Sequence, residues 1–216
     1  MKIFYTLTSS GGLLERQVAQ KESWLKKQDY VYASDIENED NVKLSATNNH
    51  RSAEQKQLNS LKYLYQNKNN YDWYFFGDDD TFVNTENLVN FLKELPVEIS
   101  SCGSVLTAPH LCEWPYYSGG AGFVLRKDVM NDLSKWTDFP NSGLSDISIG
   151  KLMYGKYTLS DYTDKFCGQN PFGGSCAAIN PNAPHSEEKI KSNISYHYVN
   201  AEEMKKLYDM VNVIYK

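Results

Sequence analysis

Apolar residues along this chain fall into two spacings, short unbroken runs and positions recurring every three or four residues, and the two spacings alternate. Residues 1–7 form a run that predicts a strand, closed by the small-residue turn Thr8-Ser9-Ser10-Gly11-Gly12. Leu14, Val18, Trp24 and Leu25 then predict a helix with one apolar side, and residues 30–33 a second strand ending at Ser34-Asp35. Residues 36–52 are polar and read as a loop; Leu58, Leu61, Leu64 and Tyr65 return to helical spacing. The aromatic run Trp73-Tyr74-Phe75-Phe76 reads as a buried strand. Asn84 or Thr85 is placed to cap a helix with Leu88, Phe91, Leu92 and Leu95 on its apolar face, stopped by Pro96.

A further strand is expected over residues 99–106, and another in Phe123-Val124-Leu125 behind Gly119-Gly120-Ala121-Gly122. A helix with Val129, Leu133 and Trp136 follows, then a connection over residues 137–145 and a short helix from Asp146 through Ile149, Leu152 and Met153. Residues 160–192 are rich in Gly, Pro, Asn and Ser and predict long loops. Residues 194–199 predict a last strand, and Met204, Leu207, Tyr208, Val211 and Tyr215 a strongly amphipathic final helix. There is no internal repeat. The alternation of strand and helix implies an α/β fold, a mostly parallel twisted sheet with helices on both faces.

Composition narrows the function. The 216 residues suffice for one substantial domain, and 41% hydrophobic content supports an ordinary core. A net charge of −5, without a Lys/Arg run, argues against nucleic acid as a partner. No segment is long and apolar enough for a membrane span, and the first residues read as a strand rather than a signal peptide. The expectation is a soluble chain, cytoplasmic unless an anchor or signal was removed, in which case luminal. Cys102, Cys112, Cys167 and Cys176 fit no zinc spacing; two loop disulfides or free buried thiols are both compatible with the pattern. Asn193-Ile194-Ser195 matches the glycosylation sequon, a three-residue signal of little weight.

The candidate chemistry starts where the aromatic strand ends, in Asp78-Asp79-Asp80-Thr81-Phe82-Val83. Three adjacent carboxylates oppose one another's ionisation, and a hard divalent cation relieves that repulsion. An arbitrary Asp triplet is a solvated turn; a buried strand before it and apolar residues after it favour a metal site at the carboxyl end of a strand. The Ser118-Gly119-Gly120-Ala121-Gly122 turn lets a ligand approach the backbone, or is simply a turn. Asp146 stands at a helix start, where capping is the default role. His197, between aromatic residues, is either a satisfied core histidine or an imidazole ligand.

Taken in order, these elements resemble the fringe-like β-1,3-glycosyltransferases, glycosyltransferase family 31, and among them the core 1 β-1,3-galactosyltransferases. The residues that carry the resemblance are Tyr71-Asp72-Trp73 leading into the acidic triplet, Glu86-Asn87-Leu88, Tyr117 to Leu125, Asp146 with Gly150 four residues on, the segment Ile194 to Met204, and Arg16 eight residues before Trp24. The resemblance implies a GT-A fold in a single domain over residues 1–216, with a donor-binding half over about 1–100 and an acceptor and catalytic half over about 101–216. It further implies inverting transfer of a hexose or N-acetylhexosamine from a UDP-sugar to a glycan or glycoprotein hydroxyl. Asp80 and His197 would hold Mn²⁺, or Mg²⁺. Thr8, Arg16, Asp35, Asp78 and Asp79 would face the donor; Trp114, Gly119 and Gly120 would line the sugar and acceptor pocket; Asp146 would be the general base. A catalytically silent sugar-nucleotide or glycan-binding domain is the alternative. A phosphoryl-transfer enzyme or hydrolase ranks last, since the chain has no P-loop lysine motif and no second carboxylate cluster.

Overall fold

The computed structural model describes residues 1–49, 51–138, 140–173 and 183–212. The chain runs through β1 (Ile3–Thr8), α1 (Leu14–Glu22), β2 (Asp29–Ser34), β3 (Asn41–Lys43), α2 (Ser52–Asn67) and the aromatic strand β4 (Trp73–Asp78). β5 (Phe82–Val83), α3 (Thr85–Glu94), β6 (Ser101–Gly103), β7 (Val105–Leu106), β8 (Tyr116–Tyr117) and β9 (Phe123–Arg126) follow. The remainder holds α4 (Lys127–Leu133), α5 (Ser145–Met153), β10 (Ser160–Asp161), β11 (Phe166–Cys167), α6 (Glu187–Ser192), β12 (Ser195–Tyr196) and α7 (Ala201–Val211).

Seven of these strands form the main sheet in the order β10-β6-β9-β4-β1-β2-β3. β9 runs antiparallel to both its neighbours, and the other pairings are parallel, so the sheet is mostly parallel as expected. A small sheet, β11-β12-β5, brings the C-terminal segment back beside the acidic turn. Side chains on β4 alternate between the two faces. Trp73 and Phe75 join Tyr5, Leu7 and Val124 in one apolar cluster with α3 and α7; Tyr74 and Phe76 join Phe4, Phe123 and Leu125 in another, under α2 and α4. Phe76 and Phe123 stack at 5.1 Å in the second cluster. Leu61 is fully buried there, so Leu61→Ala is expected to lower stability by about 2–5 kcal/mol, measured by urea denaturation.

Several local expectations give way to tertiary context. On α1, Leu14 and Val18 are exposed while Gln17 and Gln20 are buried. The inner side of this helix backs a turn of polar backbone: the Gln20 amide donates to the carbonyls of Asp78 (3.1 Å) and Thr81 (2.8 Å). Trp24 and Leu25 are buried, but beyond the end of the helix. The polar stretch 36–52 contains β3, which extends the sheet beyond β2. Tyr65 is exposed, whereas Leu58, Leu61 and Leu64 are buried. The strand expected over 99–106 is divided at Ser104 into β6 and β7, which belong to different sheets. The 160–192 loops hold β10, β11 and α6, and the last strand shortens to Ser195–Tyr196. Tyr215 and Cys176 lie outside the described residues. Cys102, Cys112 and Cys167 are free thiols. No helix among the described residues is long and apolar enough to cross a membrane.

Candidate active site

β1 and β4 are parallel neighbours with Thr8 opposite Asp78, so both strands deliver their last residues to one end of the sheet. A cavity of about 1090 Å³ opens there, reached by Thr8, Arg16, Asp78, Asp79, Asp80, Gly119, Gly120, Asp146 and His197. Ligands of open α/β sheets bind at this end because strand termini and their loops converge there.

Thr81 fixes the acidic turn. Its hydroxyl accepts from the Asp78 N–H (2.9 Å) and donates to the Gly120 carbonyl (2.8 Å), tying the acidic turn to the glycine turn. The three carboxylates then diverge. Asp79 points inward, where it accepts from the Ser9 hydroxyl (2.7 Å) and from Arg16 Nη1 (3.0 Å). Asp80 is shared, with Arg16 Nη1 3.3 Å from one oxygen and His197 Nε2 3.2 Å from the other. Asp78 Oδ2 lies 4.0 Å from the same His197 nitrogen.

His197 owes its place to a backbone reversal. Tyr198 has φ +58°, a left-handed conformation costly for a non-glycine residue. It ends β12 one residue before His197, whose N–H is tied to the Cys167 carbonyl at 3.1 Å and whose ring stacks on Tyr198 at 3.7 Å. The Val199 N–H then bonds the Asp80 carbonyl at 3.0 Å. Gly120 lies flush against the imidazole: a Cβ there would stand 1.9 Å from Cε1 of His197. Gly122 has φ +80°, and its missing side chain makes room for the Phe75 ring.

On the other side of the glycine turn stands Asp146, in the first turn of α5. The N-cap position belongs to Leu144, so Asp146 is not the cap. Its Oδ1 accepts from the Ile147 N–H at 2.9 Å, and the Gly119 N–H also bonds its carboxylate. Burial raises the Asp146 carboxyl above its ordinary range, and those N–H groups recover only part of the cost.

Enclosure by the cavity walls, and then the charge of Asp80, push Asp78 up to about 7, although 36% of its side chain still faces the cavity. Burial pulls the same way on Asp80, but the hydrogen bond and charge of His197, with Arg16, outweigh it and hold this carboxyl low. Burial favours neutral His197; the Asp80 and Asp78 carboxylates reverse that and raise it. One oxygen each from Asp78 and Asp80 and a His197 nitrogen lie within 4.8 Å of one another. Two hard oxygens and an imidazole suit Mn²⁺ or Mg²⁺, so the residues fit a divalent cation.

The Fringe-like family model matches residues 17–149. The chain belongs to the Fringe-like family. Two solved glycosyltransferases share the fold of this fringe-like protein. One is a glycosyltransferase involved in the glycosylation of the major capsid of PBCV-1, 13% identical, with 96% of this chain and 99% of that chain covered and a TM-score of 0.56. The other is the bifunctional glycosyltransferase WbbM in its apo form, 10% identical, with 98% of this chain and 50% of that chain covered and a TM-score of 0.54. The fold is of the GT-A type, and the family is one of glycosyltransferases.

Not every residue expected at the fringe-like site reaches the cavity. Asp35 stands behind the wall, where it accepts from the Gly11 N–H (3.2 Å) and pairs with Lys56 Nζ (3.1 Å). Trp114 is on the outer side of α5, its indole N–H donated to the Ile147 carbonyl at 2.9 Å, and it lines an adjoining cavity of about 210 Å³. Asp78, expected on the donor, groups with Asp80 and His197 instead; its i, i+2 relation to Asp80 is the signal for a shared side. Lys56 escaped sequence reasoning altogether. It is buried on α2 yet reaches the cavity wall, donating to the Ser9 carbonyl at 2.8 Å across 47 positions of chain.

Proposed function

We propose that this fringe-like chain is a metal-dependent inverting glycosyltransferase that moves a hexose or N-acetylhexosamine from a UDP-sugar to a glycan or glycoprotein hydroxyl, in β-1,3 linkage. The observation that carries the reading is the glycine turn between two chemistries: the Asp78, Asp80 and His197 group lies against Gly120, and Asp146 against Gly119. A transferring sugar seated on that turn meets the diphosphate site on one side and a carboxylate on the other.

Asp78, Asp80 and His197 would hold the divalent cation, which when bound would supply positive charge to offset the negative charge developing on the leaving diphosphate. Arg16, oriented by Asp79 and Asp80, gives the donor side a fixed cation of its own. Asp146 accepts the proton of the acceptor hydroxyl. That oxygen then forms its bond to the anomeric carbon while the bond to the diphosphate oxygen breaks on the opposite face, which inverts the configuration. The raised carboxyl of Asp146 is the stronger base for it.

Calorimetry with a panel of UDP-sugars, in Mn²⁺ and again in EDTA, tests this. One donor is expected to bind in Mn²⁺ and to lose its affinity in EDTA, and Arg16→Ala should weaken it by about tenfold or more, the usual worth of a hydrogen bond to a charged group. Absence of binding by every UDP-sugar in Mn²⁺ would sink the proposal.

A further inference from the structure

Asp146 is presented by the first turn of α5, and that turn is gripped from behind by a residue far away in sequence. Glu54, near the start of α2, is 3% exposed. Its Oε1 accepts from the Ser142 N–H at 2.8 Å and from the Ser148 hydroxyl, and its Oε2 from the Gly143 N–H at 3.0 Å. Every one of these donors belongs to the loop that leads into α5 or to α5 itself.

Within the loop, the Ser142 hydroxyl donates to the Leu144 carbonyl (2.7 Å) and accepts from the Leu144 N–H (3.1 Å), and Glu54 supplies the anchor from outside. Asn141 has φ +52° and Gly143 φ +81°, two left-handed residues within three. A Cβ on Gly143 would meet nothing, so no packing fixes the loop at that point. Of the two, only the non-glycine Asn141 carries a cost that its surroundings must offset, and the Glu54 carboxylate holds the two residues that follow it, Ser142 and Gly143. Ser148 is two residues beyond Asp146, about 200° around the helix. Glu54 therefore holds the back of the turn whose front carries Asp146. Elsewhere on α5, the Trp114 indole holds the Ile147 carbonyl, and Gly150 packs on Tyr116 with no room for a Cβ.

We infer that Glu54 is the positioning residue for Asp146: a buried carboxylate on α2 that sets where the first turn of α5, and with it the base, stands over the cavity. The inference rests on the reading of Asp146 as the base. Glu54→Gln keeps the size of the side chain but turns one acceptor into an N–H₂ group facing an N–H donor. Ser148→Ala removes one donor from the opposite side and leaves Glu54 in place.

The test is NMR of the full chain, following the Asp146 side-chain carboxyl signal, assigned with Asp146→Asn, and amide hydrogen exchange. In Glu54→Gln and Ser148→Ala the Asp146 signal is expected to move. Exchange at Ile147 and Ser148 should quicken at least tenfold, while amides of β4 and β9 keep their protection. On the donor and acceptor that the wild-type chain uses, kcat should fall about 10- to 100-fold with donor affinity within twofold, because misplacement by about 1 Å costs up to about 10²-fold. An unmoved Asp146 signal with unchanged exchange and kcat in both variants overturns the inference. Should Glu54→Gln fail to fold, Ser148→Ala decides. Wild-type turnover by Asp146→Asn overturns the base instead, and leaves the grip of Glu54 on α5 to be judged by the NMR signals alone.

Discussion

Asp146→Asn is expected to lower transfer by about 10²–10⁴-fold, the range for loss of a general base, while donor affinity in Mn²⁺ stays within about twofold. The substitution is isosteric. An amide oxygen still accepts from the Ile147 and Gly119 N–H groups that orient Asp146, so the helix start and the glycine turn keep their geometry. What is lost is the capacity to take a proton. The pH profile adds a second check. Burial raises this carboxyl, and a base works only when ionised, so wild-type kcat should fall as pH drops through an ionisation above the ordinary carboxylate range. That limb should be absent from the residual activity of the Asn variant. Steady-state kinetics from pH 4 to 8 would measure both as rough bounds of the useful range; full turnover in the Asn variant refutes the role.

The second large effect is expected from a methyl group. Gly120→Ala places a Cβ 1.9 Å from Cε1 and 2.1 Å from Nε2 of His197, far inside any real contact. The His197 backbone is held by its N–H bond to the Cys167 carbonyl and the ring by its stack on Tyr198, so the imidazole yields by leaving Asp80, its partner at 3.2 Å. On the proposed reading, Mn²⁺ affinity should fall about 10- to 100-fold or more, the range seen when the orientation of metal ligands is disturbed, although none of the three candidate ligands has been replaced. Gly119→Ala is the control. Its Cβ would meet only the Asp146 Cβ, at an ordinary 3.6 Å, so metal affinity should be retained. Titration of Mn²⁺ followed by electron paramagnetic resonance separates the two; equal affinities for both variants would mean that His197 is not held against the glycine turn.

Local patterns carried most of the architecture into view from the chain alone. The aromatic run of β4, the acidic triplet after it, the glycine turn and the amphipathic α7 are each weak alone, and their order along the chain is what carries the fold. What escaped depended on distant partners. Helical spacing places Leu14 and Val18 inward on α1, yet that side of the helix meets polar groups: Gln20 satisfies the backbone of the acidic turn, and Gln17 bonds the side chains of Ser9 and Asn41. Asp35, just past β2, is expected to face a nucleotide, but Lys56 on α2 engages it. The final strand stops at Tyr196 rather than running to Val199, because nothing in the sequence at Tyr198 announces its positive φ. Trp114 lines the adjoining cavity instead, its indole N–H turned to the Ile147 carbonyl of α5.

The order of the site residues along the chain has a consequence for synthesis. Asp78 and Asp80 leave the ribosome well before His197, which joins them only after β12 has paired with β5 and the Val199 N–H has closed on the Asp80 carbonyl. A nascent or clipped polypeptide ending short of residue 197 keeps the acidic turn but lacks the imidazole. The three candidate metal ligands are thus brought together by docking of the segment around residue 197, not by the acidic turn alone.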